Sequence, residues 1–288
     1  MVKEVSIVIP AYNEEKGIEK VLGEVVSEID KLQLQAEVIV VNDGSKDQTA
    51  KKVESIARSN PDVLLVEHKS NRGYGASLKT GILHAKYDTI VVIDADCTYP
   101  ISSLSSLLEE MEEADMVVGA RTGANVQIEK IRVPAKWFLG KLASFLAEKE
   151  IPDLNSGFRA FNREIAISYF HILPNKFSFT TTITLAMFSD DFKVTYVPID
   201  YYGRKGSSKI TPIFAWRLFV LILRTIFYFN PLRIILPLTV VFGLVGLGKM
   251  GYDIVMLDNL TDTSVLLILF SFQLLGFGLL ADLIVRRT

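Results

Sequence analysis

Two aspartates one residue apart, Asp94 and Asp96, stand directly after the apolar run Thr89-Ile90-Val91-Val92-Ile93. An uninterrupted apolar run of this length is typical of a buried strand, so the two carboxylates are expected where that strand reaches solvent. Carboxylate oxygens suit a hard divalent cation, which in turn can neutralise the phosphates of a nucleotide. Asp-x-Asp pairs are also common in solvated turns, so the meaning of this pair depends on the surrounding sequence.

Strand-like and helix-like patterns alternate through the first hundred residues. The segments predicted as strands are Val5–Ile9, Glu37–Val41, Val63–Glu67 and Thr89–Ile93. The alternation predicts an α/β fold in which a mostly parallel sheet is sandwiched by helices. Polar residues follow three of these strands, at 10–14, 42–45 and 94–96. Because functional residues at the carboxyl ends of parallel strands converge on one crevice, these three segments are expected to meet.

The chain is too apolar for an ordinary soluble domain of its size. Hydrophobic residues make up 49% of the 288 residues, the mean hydropathy is +0.30, and the excess lies after residue 213. Two segments, about 234–256 and 265–285, are each long enough to cross a bilayer. Arg286 and Arg287 follow the second segment, whereas the connection between the two is acidic. The positive-inside rule therefore predicts a multi-pass protein of the cell membrane with a cytoplasmic catalytic domain.

The predicted domains are a catalytic domain at 1–209, an interfacial helix at 210–231 and a transmembrane hairpin at 232–288. In the middle segment Arg217 and Arg224 lie seven residues apart, on one helical stripe among aromatic residues. Such a pattern favours an amphipathic helix lying in the membrane interface. A third, shorter membrane span is the alternative.

Charge and cysteine content exclude several classes of protein. A net charge of −2 argues against nucleic-acid binding through a broad basic field. The single cysteine, Cys97, excludes an internal disulfide and fits a reducing compartment. His68, His84 and His171 have no metal-ligand spacing and are predicted to be structural or surface residues outside the motif cluster. The oligomeric state stays open, a homo-oligomer included.

Seven short motifs carry a family resemblance through their order and spacing. They are Ile-Val-Ile-Pro-Ala-Tyr-Asn-Glu-Glu at 7–15, Val-Val-Asn-Asp-Gly-Ser-Lys-Asp-Gln-Thr at 40–49, Asn-Arg-Gly-Tyr-Gly-Ala at 71–76, Asp-Ala-Asp at 94–96, Gly-Ala-Arg at 119–121, Ser-Gly-Phe-Arg at 156–159 and Gly-Ser-Ser-Lys at 206–209. Together they resemble the inverting family-2 glycosyltransferases of the GT-A fold. Within that family the trailing apolar hairpin is similar to that of the dolichyl- or polyprenyl-phosphate sugar synthases.

The resemblance implies transfer of a hexosyl group, with inversion, from GDP-mannose or a UDP-hexose to a dolichyl or polyprenyl phosphate. It also implies a divalent metal, Mg²⁺ or Mn²⁺, held by Asp94 and Asp96. Thr98 stands where the synthase pattern Asp-x-Asp-x-Gln has glutamine, so its hydroxyl or a water is expected in the metal shell. Contacts to the nucleotide sugar are implied for Pro10, Tyr12, Glu14, Val41, Asp43, Asp94, Ala95, Asp96 and Arg121.

Candidate phosphate ligands are basic, because guanidinium and ammonium groups pair with phosphate oxygens. Arg121 is expected to join the two aspartates as a catalytic group by offsetting charge on the departing nucleoside diphosphate. The acceptor phosphate is expected to contact Arg204, Lys205 and Lys209. Arg159 either contacts that phosphate or locks a loop.

The segment 177–182 contains no acid, although many members of the resembling family carry a carboxylate near it. A phosphate monoester has a second pKa of about 6 and can attack at neutral pH without a general base. The missing acid thus favours a phosphate acceptor. Two alternatives stay open: transfer to a lipid or glycan hydroxyl, with Asp190 or Asp191 as base, and a catalytically inactive membrane protein that binds nucleotide sugars.

Overall fold

The computed structural model describes residues 1–126, 140–145, 148–176, 178–203, 216, 219–220, 222–224, 227–228 and 230–285. The chain divides into two compact units. The first comprises Met1–Phe145 with Lys149–Leu221, and the second comprises Leu146–Glu148 with Ile222–Thr288. The predicted boundary at 209 and most of the predicted interfacial helix lie outside the described residues, so that division stays a prediction.

The first unit is built on a seven-stranded sheet in the order β3-β2-β1-β4-β6-β5-β7. Its strands are β1 (Glu4–Ala11), β2 (Gln35–Asn42), β3 (Val63–Glu67), β4 (Thr89–Val92), β5 (Met116–Ala120), β6 (Arg159–Asn162) and β7 (Val194–Pro198). β6 pairs antiparallel with β4 and β5, and the other pairings are parallel. The predicted mostly parallel α/β sheet is confirmed.

Helices pack on both faces of the central strand β1. Helices in the described part of this unit include α1 (Ile18–Leu32), α2 (Thr49–Ser59), α3 (Tyr74–His84), α4 (Leu104–Glu110), α5 (Arg163–Ser168) and α6 (Phe179–Ser189). Ile7 and Ile9 share a buried core with α1. Val8 points to the other face, where a Cβ on Gly81 of α3 would lie 2.3 Å from Val8 Cγ1. Glycine at 81 therefore lets α3 approach the sheet closely.

The strand order reverses between β1 and β4. The chain steps outward from β1 to β2 and β3 and then returns to the other side of β1 as β4. Both neighbouring strands are buried to their carboxyl ends, which explains their continuous apolar sequences. In open α/β sheets a ligand crevice lies outside the carboxyl ends of the strands at such a switch point.

The threonines of the acid-free segment near residue 180 lie buried within helix α6. The side chains of Thr180, Thr181 and Thr182 are at most 4% exposed. The Thr182 hydroxyl donates to the Ser178 carbonyl oxygen at 3.0 Å, and the Thr184 hydroxyl donates to the Thr180 carbonyl oxygen at 2.8 Å. Such bonds to the preceding turn let hydroxyl groups lie inside the fold.

The second unit is a helical hairpin. Helix α7 (Leu232–Tyr252) continues into a π-helical turn at Asp253–Leu257, and α8 (Asp262–Val285) returns beside it. The stretches Leu232–Leu257 and Asp262–Val285 have mean hydropathies of 1.9 and 2.2 and are long enough to cross a bilayer by length and composition. The predicted hairpin of two apolar helices is confirmed.

A polar cluster closes this hairpin. Lys249 forms an ion pair with Asp253 one helical turn later. The backbone N–H of Thr261 donates to Asp253 Oδ2 at 3.1 Å. Pairing the two charges with each other reduces the cost of placing either of them in an apolar hairpin.

Candidate active site

The loops that follow β1 and β2 are held to each other by side-chain hydrogen bonds. The Asn13 N–H donates to Ser45 Oγ at 3.0 Å, and the Lys46 N–H donates to Asn13 Oδ1 at 2.9 Å. Asn13 has a φ of 56°, a left-handed conformation that asparagine tolerates better than most residues. The Glu14 N–H donates to Thr49 Oγ1 at 2.9 Å. The two loops therefore form one rim at the carboxyl edge of the sheet.

An open polar pocket of about 530 Å³ lies at this rim. It is lined by Tyr12, Asn42, Gly44, Ser45, Lys46, Glu67, His68, Lys69, Ser70 and Asn71. The volume falls in the range of small-molecule sites. Tyr12 is 42% exposed, so its ring can offer a flat face to a nucleobase. Pro10 and Val41 pair in register in the two strands that lead to these loops.

Asp43 is buried beside this pocket and accepts three internal hydrogen bonds. The N–H groups of Arg72 and Gly73 donate to its two oxygens, each at 2.8 Å. His68 Nδ1 lies 2.7 Å from Asp43 Oδ1. The carboxylate therefore holds the loop that precedes α3. Its predicted contact with a nucleotide stays a prediction, and nothing in the local sequence indicates these internal partners.

His68 joins three elements of the fold. Besides its contact with Asp43, its Nε2 lies 2.9 Å from the hydroxyl oxygen of Thr80 in α3. An ionised carboxylate only accepts hydrogen bonds, so Nδ1 carries a hydrogen. The prediction that His68 lies outside the motif cluster is wrong, because its partner Asp43 belongs to one of the motifs. Its structural role agrees with the prediction.

Asp94 lies just beyond β4, between a tyrosine hydroxyl and a glycine backbone. The Tyr74 hydroxyl donates to Asp94 Oδ1 at 2.9 Å. A Cβ on Gly157 would lie 2.4 Å from Asp94 Oδ2, closer than two such atoms can approach. The Gly157 N–H in turn donates to the hydroxyl oxygen of Tyr99 at 2.8 Å. The absence of a side chain at 157 is thus what leaves room for this carboxylate.

Asp96 is oriented by the residue two positions later. The Thr98 hydroxyl and N–H both donate to Asp96 Oδ1, at 2.6 Å and 3.2 Å. Cys97 between them has a φ of 59°, which closes a tight turn. Thr98 is 1% exposed. The threonine therefore supports Asp96, and its own contact with a metal stays a prediction.

The two aspartates have the chemistry that a divalent cation requires. Mg²⁺ is commonly held by one or two carboxylates together with substrate phosphates and water. Among the residues that the structure describes, no group of three or more His, Cys, Asp or Glu side chains converges on a metal position. A shell built on Asp94 and Asp96 would therefore be completed by the diphosphate and by water.

Replacing Thr98 by valine tests its supporting role. The substitution keeps the buried shape but removes the hydroxyl that donates to Asp96. Loss of such an outer partner typically weakens metal binding by about 10- to 100-fold. We expect Thr98→Val to raise the Mn²⁺ concentration needed for half-maximal activity by a factor in that range. An unchanged metal titration would show that the hydroxyl does not orient Asp96 for metal binding.

Arg121 follows β5 and forms a bidentate ion pair with Asp153. Its Nε donates to Asp153 Oδ2 at 2.6 Å and its NH2 group donates to Oδ1 at 2.8 Å. Burial disfavours the charge, but the Asp153 carboxylate raises the pKa of Arg121 above its ordinary value. The guanidinium thus stays charged and ties β5 to the segment before β6. Its predicted contact with phosphate stays a prediction.

Arg159 lies inside the fold, which corrects its prediction as an acceptor-phosphate ligand. The side chain is 0% exposed. Its NH1 group donates to the Thr180 carbonyl oxygen at 3.1 Å and to Thr184 Oγ1 at 3.0 Å, while Nε donates to the Ser156 carbonyl oxygen at 3.1 Å. A guanidinium with these partners has no access to a substrate and instead locks the segment before β6 against α6.

The remaining candidates fall in two places. Asp190 and Asp191 stand before the amino end of β7, and β7 runs parallel to β5. Because β5 and β4 share one direction, these two acids lie at the edge opposite Asp94. The acceptor-phosphate candidates Arg204, Lys205 and Lys209 lie outside the described residues, and their role stays a prediction.

Sequence comparisons assign both parts of the chain to known families. Residues 6–170 match the family Glycosyl transferase family 2, and residues 230–286 match the family GtrB C-terminal hairpin. A dolichyl-phosphate beta-glucosyltransferase of Trichomonas vaginalis is 31% identical over 71% of this chain and 65% of its own length. A bactoprenol glucosyl transferase of Shigella phage SfV is 31% identical over 80% of this chain and 74% of its own length.

Solved structures share the fold. Glucosyl-3-phosphoglycerate synthase from Mycobacterium tuberculosis, in complex with Mn²⁺ and UDP-glucose, superposes with a TM-score of 0.62. The match covers 77% of this chain and 79% of that one at 21% identity.

A prophage bactoprenol glucosyl transferase homolog of Escherichia coli, compared by sequence, is 29% identical over 98% of this chain and 94% of its own length. Likeness therefore extends through both units.

Proposed function

The chain belongs to glycosyl transferase family 2, and we propose that it transfers a hexosyl group from a nucleotide sugar to a polyprenyl phosphate. The observation that carries the proposal is that an open polar pocket, which follows β1, β2 and β3, and the Asp94 and Asp96 pair, which follows β4, lie at the same carboxyl edge of the sheet. A C-terminal apolar hairpin follows in the same chain. Relatives named as dolichyl-phosphate and bactoprenol glucosyltransferases support a lipid phosphate as acceptor.

The donor binds with its base in the pocket beside Tyr12 and its diphosphate toward the aspartate pair. The pocket holds the lysines Lys46 and Lys69, which suit phosphate or ribose oxygens. We favour a glucosyl donor over a mannosyl donor, because the relatives carry glucosyltransferase names. UDP-glucose is therefore the first donor to test, and GDP-mannose is the comparison.

Asp94 and Asp96 are the residues that would hold a divalent cation. When bound, such an ion supplies positive charge that stabilises the departing nucleoside diphosphate. Tyr74 and Thr98 keep the two carboxylates in place through hydroxyl hydrogen bonds. Both supporting hydroxyls lie within the folded domain, so little rearrangement is needed when charge develops on the leaving group.

The acceptor phosphate attacks the anomeric carbon directly. A new bond forms between a phosphate oxygen and the anomeric carbon while the bond from that carbon to the diphosphate oxygen breaks. The nucleoside diphosphate leaves with the electron pair, and a single displacement inverts the configuration. A phosphate dianion carries no proton on the attacking oxygen, so no general base is needed.

The apolar hairpin holds the enzyme at the membrane that contains the acceptor. Two helices of this length and composition can span a bilayer. The basic C-terminal end favours a cytoplasmic position for the ends of the hairpin and for the catalytic unit. The lipid phosphate then reaches the crevice from the cytoplasmic face, where basic residues near a membrane surface favour its negative headgroup.

Transfer of radiolabel from UDP-glucose or GDP-mannose into a lipid extract tests the proposal. A labelled product that mild acid hydrolyses is a sugar phosphate and supports it. An acid-stable product is a glycoside and indicates a hydroxyl acceptor. A full chain that binds nucleotide sugar but yields no labelled lipid with either donor indicates an inactive binding protein.

A double substitution tests whether the reaction lacks a protein base. Asp190→Asn combined with Asp191→Asn should leave appreciable turnover, because both acids lie at the edge of the sheet away from Asp94. Activity should also fall on acidification as the acceptor phosphate takes up its second proton at a pH of about 6. A loss of about 100-fold or more in the folded double variant, the size of a general-base effect, would contradict this mechanism.

A further inference from the structure

Tyr74 connects the nucleotide pocket with the aspartate pair. It is the first residue of α3, and its hydroxyl donates to Asp94 Oδ1 at 2.9 Å. On the N-terminal side, the Arg72 and Gly73 N–H groups are bound by Asp43 at the pocket.

The segment that carries Tyr74 is fixed by contacts that do not involve Asp94. Gly73 has a φ of 103°, and a Cβ there would lie 2.6 Å from the Asn175 carbonyl oxygen. A Cβ on Gly75 would lie 2.1 Å from the Pro174 carbonyl oxygen. The Ala76 N–H also donates to the Asn175 carbonyl oxygen at 2.9 Å. The backbone before and after Tyr74 is therefore packed against the segment that contains Pro174 and Asn175.

Asp94, by contrast, has a short side chain whose direction is set by its contacts. One oxygen accepts from Tyr74, and the other lies against the backbone of Gly157. Because the tyrosine is held by its own segment, it is the carboxylate that takes its orientation from the tyrosine. A charge-assisted bond of this kind is stronger than one between neutral groups.

We propose that Tyr74 is a positioning residue that orients Asp94 for metal binding and places the carboxylate in a fixed relation to the nucleotide pocket. The inference rests on the proposed function, since it assigns Asp94 to the metal. A hydrogen-bond partner outside the metal shell typically changes metal affinity by about 10- to 100-fold. Tyr74 would thus set the metal affinity without touching the metal or the substrate.

The test is Mn²⁺ binding by Tyr74→Phe, measured on the full-length protein by titration calorimetry with Mn²⁺ alone. We expect the dissociation constant to rise by about 10- to 100-fold. Tyr169→Phe is the matched control, because the Tyr169 hydroxyl also donates to an aspartate, Asp190 Oδ2, at 2.5 Å but at the opposite edge of the sheet. This control should bind Mn²⁺ as the wild type does.

Two further readouts separate positioning from a general structural role. Thermal protection by UDP without metal should be unchanged in Tyr74→Phe, and kcat at saturating Mn²⁺ should recover toward the wild-type value. A variant that loses UDP protection as well would overturn the inference, because its defect would be one of folding.

The metal site and the inference can fail separately. If Asp94→Asn loses Mn²⁺ affinity and Tyr74→Phe keeps it, the metal site stands and the inference is overturned. If the wild type binds no Mn²⁺ in the presence or absence of UDP, both are overturned. Weaker binding in Tyr74→Phe and Asp94→Asn, with normal binding in Tyr169→Phe, supports the inference.

Discussion

Replacing Asp96 by alanine is expected to abolish sugar transfer while the protein still folds and binds nucleotide. The carboxylate is one of two at the proposed metal position, and Thr98 holds it in place. Loss of about 4 kcal/mol of charge stabilisation on the leaving group corresponds to about a thousandfold fall in rate. The measurement is transfer of label from the nucleotide sugar to a polyprenyl phosphate, alongside thermal protection by UDP.

Two variants sharpen this test. Asp96→Asn keeps an oxygen that can accept from the buried Thr98 hydroxyl, so it separates lost charge from lost packing. Asp62→Ala removes an exposed carboxylate just before β3, at the opposite edge of the sheet, and should leave the rate unchanged. A metal ligand is expected to contribute several kcal/mol to stabilisation of the leaving group. If Asp96→Ala retained more than about a tenth of the wild-type rate, the loss would be too small and Asp96 would not be a metal ligand.

Adding one methyl group at Gly157 is expected to weaken metal binding strongly. The new Cβ would lie 2.4 Å from Asp94 Oδ2 and 2.8 Å from Asp94 Cγ, so the carboxylate would have to rotate away. Rotation of a short side chain costs little stability, but it removes the ligand from its place. We expect Gly157→Ala to bind Mn²⁺ about 100-fold more weakly. This is the upper end of the range by which residues next to the metal ligands change metal affinity. Mn²⁺ titration and the transfer assay measure this.

Gly23→Ala is the matched control for Gly157→Ala. Apart from the backbone of its own helical turns, no atom lies within 4 Å of a Cβ at this position in α1, and alanine is a better helix former than glycine. Its metal affinity and transfer rate should equal those of the wild type. A folded Gly157→Ala protein with normal Mn²⁺ affinity would show that Asp94 does not need its present position.

The first four strands were predictable because each is a continuous apolar run with a helical pattern after it. Strand β6 is harder to predict, since a four-residue strand that starts with arginine carries almost no periodic signal. Arg159 is the clearest example. Arginine is almost never fully buried without partners. The partners here, Ser156, Thr180 and Thr184, are neutral, so no oppositely charged residue in the sequence indicates that Arg159 is buried.

In the candidate site, the expectation that the segments after β1, β2 and β4 lie at one edge of the sheet agrees with the parallel pairing of these strands. What the sequence lacked were the partners that orient each acid. Tyr74 and Gly157 reach Asp94 from two distant segments of the chain, and nothing in local sequence indicates such contacts. Thr98 is different: a hydroxyl two residues after an aspartate is a common local turn, so its bond to Asp96 could have been predicted.

The antiparallel strand β6 has a consequence for how the domain forms. The polar pocket is built from residues 12–71, so its contacts are close in sequence and can form early. Asp94 reaches its final surroundings only after β6 has paired with β4 and brought Gly157 beside it. During synthesis, a nascent chain that ends before residue 157 therefore contains every residue of the pocket and lacks one wall of the metal position. The residues that form the two halves of the site therefore leave the ribosome at different stages of translation.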